Sequence, residues 1–210
     1  MPFLGDSAIR HMTAVLNEFE TTLYPQLEQK VTSMPVVPDG AKQSTLNINS
    51  VHGGLEEGFS GLPAPMVADS CRLVLDRRFL IEEELIEVKS EVLEILESLT
   101  KSRENFSYEL RDLFEVIPSM TDRNAAVVQS VDHAISQIFG RAPEYVVSPG
   151  TYDQKHIDRI GKLENCIAYG PGILDLAHQA NEYVGIADMV ESAKVMALAT
   201  HELLTGAQAK

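Results

Sequence analysis

A chain of 210 residues with 44% hydrophobic side chains is long enough for one sizeable domain or two small ones and can bury real cores, so it reads as globular. Seventeen Lys and Arg against 31 Asp and Glu leave a formal charge of -14, which repels phosphate backbones and acidic lipid and argues against nucleic acid and membrane partners. No apolar run reaches the roughly 18 residues of a membrane span, and Met1 to Asp6 lacks the basic and apolar regions of a signal peptide, so the expected location is cytoplasmic.

Asp6 or Ser7 can cap a first helix, whose apolar positions Ile9, Met12, Leu16, Phe19 and Leu23 step by three and four until Pro25 breaks or kinks it. Leu46-Asn47-Ile48-Asn49 alternates as a half-buried strand does. A glycine-rich connection from Gly53-Gly54 to Pro65 leads to a second strand from Cys71, with Cys71, Leu73 and Leu75 on one face. Glu82-Glu83-Glu84 reads as the solvated first turn of a helix carrying Leu85, Val88, Val92, Ile95 and Leu99 inward, because adjacent helical residues do not converge on one ion. Phe106, Tyr108, Leu110 and then Phe114 alternate with Ser107, Glu109 and Arg111 and predict a third strand ending at Pro118.

Residues 1–118 therefore read helix, strand, strand, helix, strand, a ferredoxin-like unit without its first strand. Such a sheet would expose an unpaired edge, so the start at Met1 looks like an interruption. Residues 119–210 change to alternating helix and strand, the mark of a layered α/β sheet. Val127, Val131, Ile135 and Ile138 line a helix closed by Gly140; Tyr145-Val146-Val147 and Cys166-Ile167-Ala168-Tyr169 are short buried strands. Gln154 to Ile160 is a short helix stopped by Gly161, and Met189 to Leu204 the last helix. Two strands are too few for an independent domain of this class, so partner strands are expected from elsewhere. Cys71 and Cys166 form no CxxC and no Cys/His cluster, and buried reduced thiols are the expectation for both.

Polar residues concentrate in two loops that follow predicted strands, where α/β sheets bind ligands. One runs from Ser148 through Gly150, Thr151, Asp153 and Lys155 to His156; the other from Tyr169-Gly170-Pro171-Gly172 through Ala177-His178-Gln179 to Glu182-Tyr183. Gly-Pro-Gly alone means a tight turn, and a lone histidine is more often structural than a ligand.

The combination of Tyr169-Gly170-Pro171-Gly172, Ala177-His178-Gln179 and Glu182-Tyr183 with a closing helix resembles the C-terminal signature of the acetylornithine deacetylase and succinyl-diaminopimelate desuccinylase family of dinuclear zinc amidohydrolases. Gly53-Gly54, Asp69 and Asp76-Arg77-Arg78 resemble the middle of that family's lid, and Met1-Pro2 with Gly5, Ala8 and Ile9 resembles the lid segment after its histidine. Asn-x-x-Pro, usual in the family before the second lid strand, is replaced, with Pro65 and Ala68 in those places.

The resemblance implies an incomplete lid and dimerisation domain, followed by the closing helices and strands of an aminopeptidase-like α/β catalytic domain. It implies zinc or cobalt, two ions per complete site, with His178 supplying one ligand. Arg78 falls where the family's lid arginine meets a substrate carboxylate; a surface arginine paired with Asp76 or Glu82 is the competing reading, and Arg77 is read as structural. Gly170, Gly172, Gly150 and Thr151 resemble substrate-facing loops. Glu182 is expected to fix the loop behind His178, and Asp153, Lys155 and His156 to be solvated charges at a helix start. The other metal ligands and the glutamate general base have no counterpart in the sequence. The expected function is that of the C-terminal part of a metal-dependent amidohydrolase for N-acyl amino acids or similar small amides, inactive alone, homodimeric through the lid, with a separate N-terminal half as a further partner. The alternative is a non-catalytic dimerisation or small-ligand-binding module that pairs with a separate N-terminal half.

Overall fold

The computed structural model describes residues 5–55, 58–62, 66–148, 150 and 152–206. Contacts within the chain group it into two units, Met1–Thr32 with Gln43–Glu115, and Ser33–Lys42 with Val116–Lys210.

In the first unit Ser7 caps helix α1 (Ala8–Glu18), its Oγ accepting the Arg10 N–H at 3.4 Å. Pro25 does not end the helix. Lacking an N–H, it is absorbed by a wider π turn over Phe19–Leu23, where the Tyr24 N–H reaches back to the Phe19 carbonyl, and α2 (Tyr24–Leu27) carries on. The inserted turn keeps Val15, Phe19, Leu23 and Leu27 on one buried stripe. Strands β1 (Thr45–Gly53) and β2 (Cys71–Arg78) pair antiparallel, Thr45 opposite Arg78 and Gly53 opposite Cys71, with a register irregularity between Ile48 and Ser50. Helix α3 (Leu85–Ser102) adds Ile95, Leu96 and Leu99 to a core that includes Leu46 and Phe106.

Two expectations need correction here. Residues 106–118 belong to no ladder among the described residues: Phe106 is buried edge-on to His11, with ring centroids 5.5 Å apart, whereas Tyr108, Leu110 and Phe114 are exposed. Alternation makes a strand only where a neighbouring edge accepts its hydrogen bonds, and β1 and β2 are the only strands among the described residues. Second, Glu82 and Glu84 are exposed but Glu83 is not a solvated first-turn residue. Its side chain is 9% exposed, and its carboxylate accepts from the Leu80 N–H (2.7 Å), Arg77 Nη2 (2.7 Å), Lys30 Nζ (3.0 Å) and the Ser44 hydroxyl.

The second unit is built on α4 (Ala126–Phe139) and α6 (Ile186–Thr205), each closed by a left-handed glycine, Gly140 at φ 67° and Gly206 at φ 66°. Ala134 and Val195 are fully buried between them, and Ala199 nearly so; these small side chains let the helices approach closely. His133 Nδ1 lies 2.9 Å from Glu202 Oε2, tying α4 to α6. α5 (Gln154–Arg159) stops against Gly161, where a Cβ would sit 2.6 Å from the Ile157 carbonyl oxygen.

The two strands expected in this unit are also absent as ladders. Val147 makes a single parallel bridge to Val36, donating its N–H to the Pro35 carbonyl (2.8 Å) and accepting from the Val37 N–H (3.3 Å). Cys166 is held by the Thr121 hydroxyl, which accepts its N–H at 3.1 Å and donates to its carbonyl at 2.7 Å. Both cysteines are free and half-buried, not fully buried. No helix among the described residues is long and apolar enough to cross a membrane.

Candidate functional site

In the second unit the segment after Cys166 runs through Tyr169, which packs against the α4–α6 core, into the exposed turn Gly170-Pro171-Gly172. Gly172 has φ +123°, a conformation open to glycine and rarely to other residues, whereas at Gly170 no such angle applies. A Cβ at either glycine would meet nothing within 4 Å, so the turn presents bare backbone.

A short 3-10 turn, Leu174–Leu176, follows, and then His178 in the left-handed region at φ 63°. His178 is exposed, and its backbone N–H donates to Glu182 Oε2 at 3.2 Å. Glu182 thus braces the loop behind the histidine, as expected. The Gln179 side chain, which the sequence reading passed over, donates to the Asp175 carbonyl at 2.6 Å. The signal available for it was position: polar residues one and four places after the histidine can both fold back onto the loop.

Gly150 sits in a loop closed by polar contacts: its N–H donates to Ser148 Oγ (3.2 Å), and Ser148 Oγ lies 2.8 Å from the Tyr152 hydroxyl. A Cβ at Gly150 would come 3.2 Å from the Tyr152 ring, so Gly150 lets the tyrosine fold over the loop. Thr151, Met1-Pro2 and Pro65 lie outside the described residues. Asp153 and His156 stand at α5, with the His156 N–H donating to the Asp153 carbonyl at 2.8 Å.

In the first unit Arg78 is the last residue of β2. Its side chain is 65% exposed and its Nε lies 3.3 Å from Asp76 Oδ2; Glu82, the other candidate partner, instead accepts from the Thr32 hydroxyl at 2.6 Å. Arg77, 10% exposed, is locked by Glu83 and Glu91 and donates from Nη1 to the Arg78 carbonyl at 2.5 Å.

An exposed imidazole on a braced loop fits a divalent ion as one nitrogen ligand. Among the described residues no group of three or more His, Cys, Asp or Glu comes together, so His178 offers a ligand and not a complete site.

The described residues thus give an α/β chain: a two-stranded antiparallel sheet packed with helices in one unit, and in the other a helix pair followed in sequence by its glycine turn and histidine loop. Residues 9–202 match Peptidase family M20/M25/M40, and the chain belongs to that family. It is 28% identical over 204 residues to N-formyl-4-amino-5-aminomethyl-2-methylpyrimidine deformylase of Bacillus subtilis, covering 91% of this chain and 45% of the relative. It is 28% identical over 166 residues to acetylornithine deacetylase of Myxococcus xanthus (78% of this chain, 39% of the relative). Succinyl-diaminopimelate desuccinylase of Sulfurimonas denitrificans is 34% identical over 89 residues (42% and 24%). The chain thus spans less than half the length of these curated relatives. The fold is shared with the crystal structure of an M20 family metallo-carboxypeptidase from Sulfolobus solfataricus, at a TM-score of 0.53 and 22% identity, over 75% of this chain and 35% of that one.

Proposed function

We propose that the chain is the lid-bearing C-terminal part of a metal-dependent amidohydrolase acting on N-acyl amino acids or similar small amides. The observation that carries this reading is the exposed His178, held in a left-handed backbone beside a bare glycine turn, in a chain matched to the M20 family over residues 9–202. The names of the relatives support the substrate class, since deformylase, deacetylase and desuccinylase each denote removal of an acyl group.

In this reading residues 1–118 form the lid and residues 119–210 the end of the catalytic domain. His178 would hold one of two zinc or cobalt ions by a ring nitrogen; the metal, when bound, supplies Lewis-acid polarisation of the amide carbonyl and a water of lowered pKa. The remaining work of this chain is binding and orientation. Gly170 and Gly172 let backbone lie against substrate, with Gly150 and Thr151 on a second loop. Arg78 receives the substrate carboxylate as a bidentate fork, leaving Asp76 to do so. A second copy docks through the lid, and the general base and the other ligands come from an N-terminal half outside these 210 residues.

The test is hydrolysis of N-formyl, N-acetyl and N-succinyl amino acids with zinc or cobalt added. The pure chain is expected to be inactive, and mixing it with the N-terminal segment of an M20 relative is expected to give hydrolysis that His178→Gly abolishes. Metal-dependent hydrolysis by the chain alone would overturn the claim that it needs another half. Hydrolysis in the mixture that survives His178→Gly would remove His178 from the metal set.

A further inference from the structure

We propose that Glu182 and Gln179 are positioning residues that hold His178 in its ligand-presenting shape within this chain, before any metal or neighbouring segment is bound. The proposal rests on the reading of His178 as a metal ligand given above. Its starting point is the backbone: His178 has φ 63°, in a region where an L side chain crowds its own carbonyl and stays only when its surroundings hold it there. Asn181, three residues on, has φ 65°, so the loop contains two such residues within one turn.

Four hydrogen bonds hold them. The Glu182 carboxylate takes the His178 N–H (3.2 Å), and the Glu182 N–H in turn donates to the Gln179 carbonyl (3.3 Å). The Gln179 side chain reaches back to the Asp175 carbonyl (2.6 Å), while its own N–H bonds the Leu176 carbonyl (3.1 Å). Both side chains, which follow the histidine in sequence, are thus committed to backbone atoms of the loop that carries it. The His178 ring takes no part in these bonds, so the loop spends its polar groups on shape and leaves the imidazole exposed.

Partners that orient a metal ligand characteristically change metal affinity by about tenfold or more when removed, even where they touch no metal. The experiment is zinc titration of the isotopically labelled full chain, following the His178 ring and amide signals by NMR, with the α4 and α6 amides as a report of intact folding. Zinc is expected to shift the His178 ring and the neighbouring Gln179 and Glu182 amides saturably in the native chain, and His178→Gly, which tolerates the positive φ but lacks the ring, to remove the response of those two amides. Glu182→Ala is expected to weaken zinc about tenfold and to strip the His178 amide of its exchange protection. Gln179→Ala is expected to act in the same direction, and Glu182→Gln, which keeps an acceptor oxygen, to recover most of the affinity. Native zinc affinity in Glu182→Ala, with His178→Gly silent, would overturn the positioning role and leave the ligand reading standing. A zinc response unchanged in His178→Gly would overturn the ligand reading and this proposal with it. If Glu182→Ala loses the α4 and α6 signals, Glu182→Gln decides: affinity as low as that of His178→Gly in a folded chain overturns the acceptor argument.

Discussion

Replacing Arg77 with methionine removes the centre of the charge network at the end of β2. In the native chain Arg77 and Lys30 face Glu83 and Glu91, two positive charges against two negative, with side chains 10%, 35%, 9% and 12% exposed. Arg77 gives Glu91 hydrogen bonds of 2.9 and 3.0 Å and Glu83 one of 2.7 Å. Methionine fills the space but leaves one carboxylate uncompensated, and breaking one side of a buried pair costs about 3–5 kcal/mol. Adding Glu91→Gln removes the surplus charge, leaving Lys30 with Glu83. The double variant is therefore expected to be more stable than Arg77→Met alone, by a coupling of about 1–3 kcal/mol. Urea unfolding read through exchange of the Leu46, Ile48 and Leu75 amides measures this in the unit that contains the network. A loss below about 1 kcal/mol for Arg77→Met, the range of an exposed ion pair, or strict additivity in the double variant, would refute the reasoning.

Glu83 gives a pH dependence: burial opposes its ionisation, but hydrogen bonds from Ser44, the Leu80 N–H, Lys30 and Arg77 outweigh that and bring its carboxyl from 4.5 down to about 2. Because the folded value is the lower one, its stabilisation is complete above 4.5 and is lost as the pH falls through about 2; urea midpoints across this window should fall, and Ser44→Ala should flatten the fall. Phe19→Ala, at a fully buried position, is expected to cost about 3–5 kcal/mol in the same unfolding assay. Gly172→Ala should destabilise its turn by about 1–3 kcal/mol because φ is +123°, whereas Gly170→Ala, with open space and no such angle, should change stability by less than about 0.5 kcal/mol; exchange at the Tyr169 and Leu176 amides separates the two.

Helices α3, α4 and α6 were legible because a helix buries one stripe of its own side chains, and the positions of Val88, Ile95 and Leu99 show that stripe without reference to any neighbour. Gly140 was legible as a terminus for the same local reason. The tail signature from Tyr169 to Tyr183 carried the family, and His178 and Glu182 kept the relation to each other that it suggested. Strands were less secure. Phe106 to Arg111 alternates well, yet pairing depends on an edge that the segment itself does not contain.

By itself, then, the sequence determined the buried stripes of the long helices, the Ser7 and Gly140 caps, the acidic charge and the membership in the M20 family, since each is written in residues close together or in a fixed motif. Tertiary structure alone decided that Glu83 leaves the solvent, because its partners Lys30, Ser44 and Arg77 come from three other parts of the chain. It also decided that Pro25 is absorbed by a π turn, that Ser33–Lys42 belongs to the second unit, and that His178 takes a left-handed backbone. In each case the deciding energy is an interaction or a backbone choice settled only when segments distant in sequence, or the whole of a loop, close on one another.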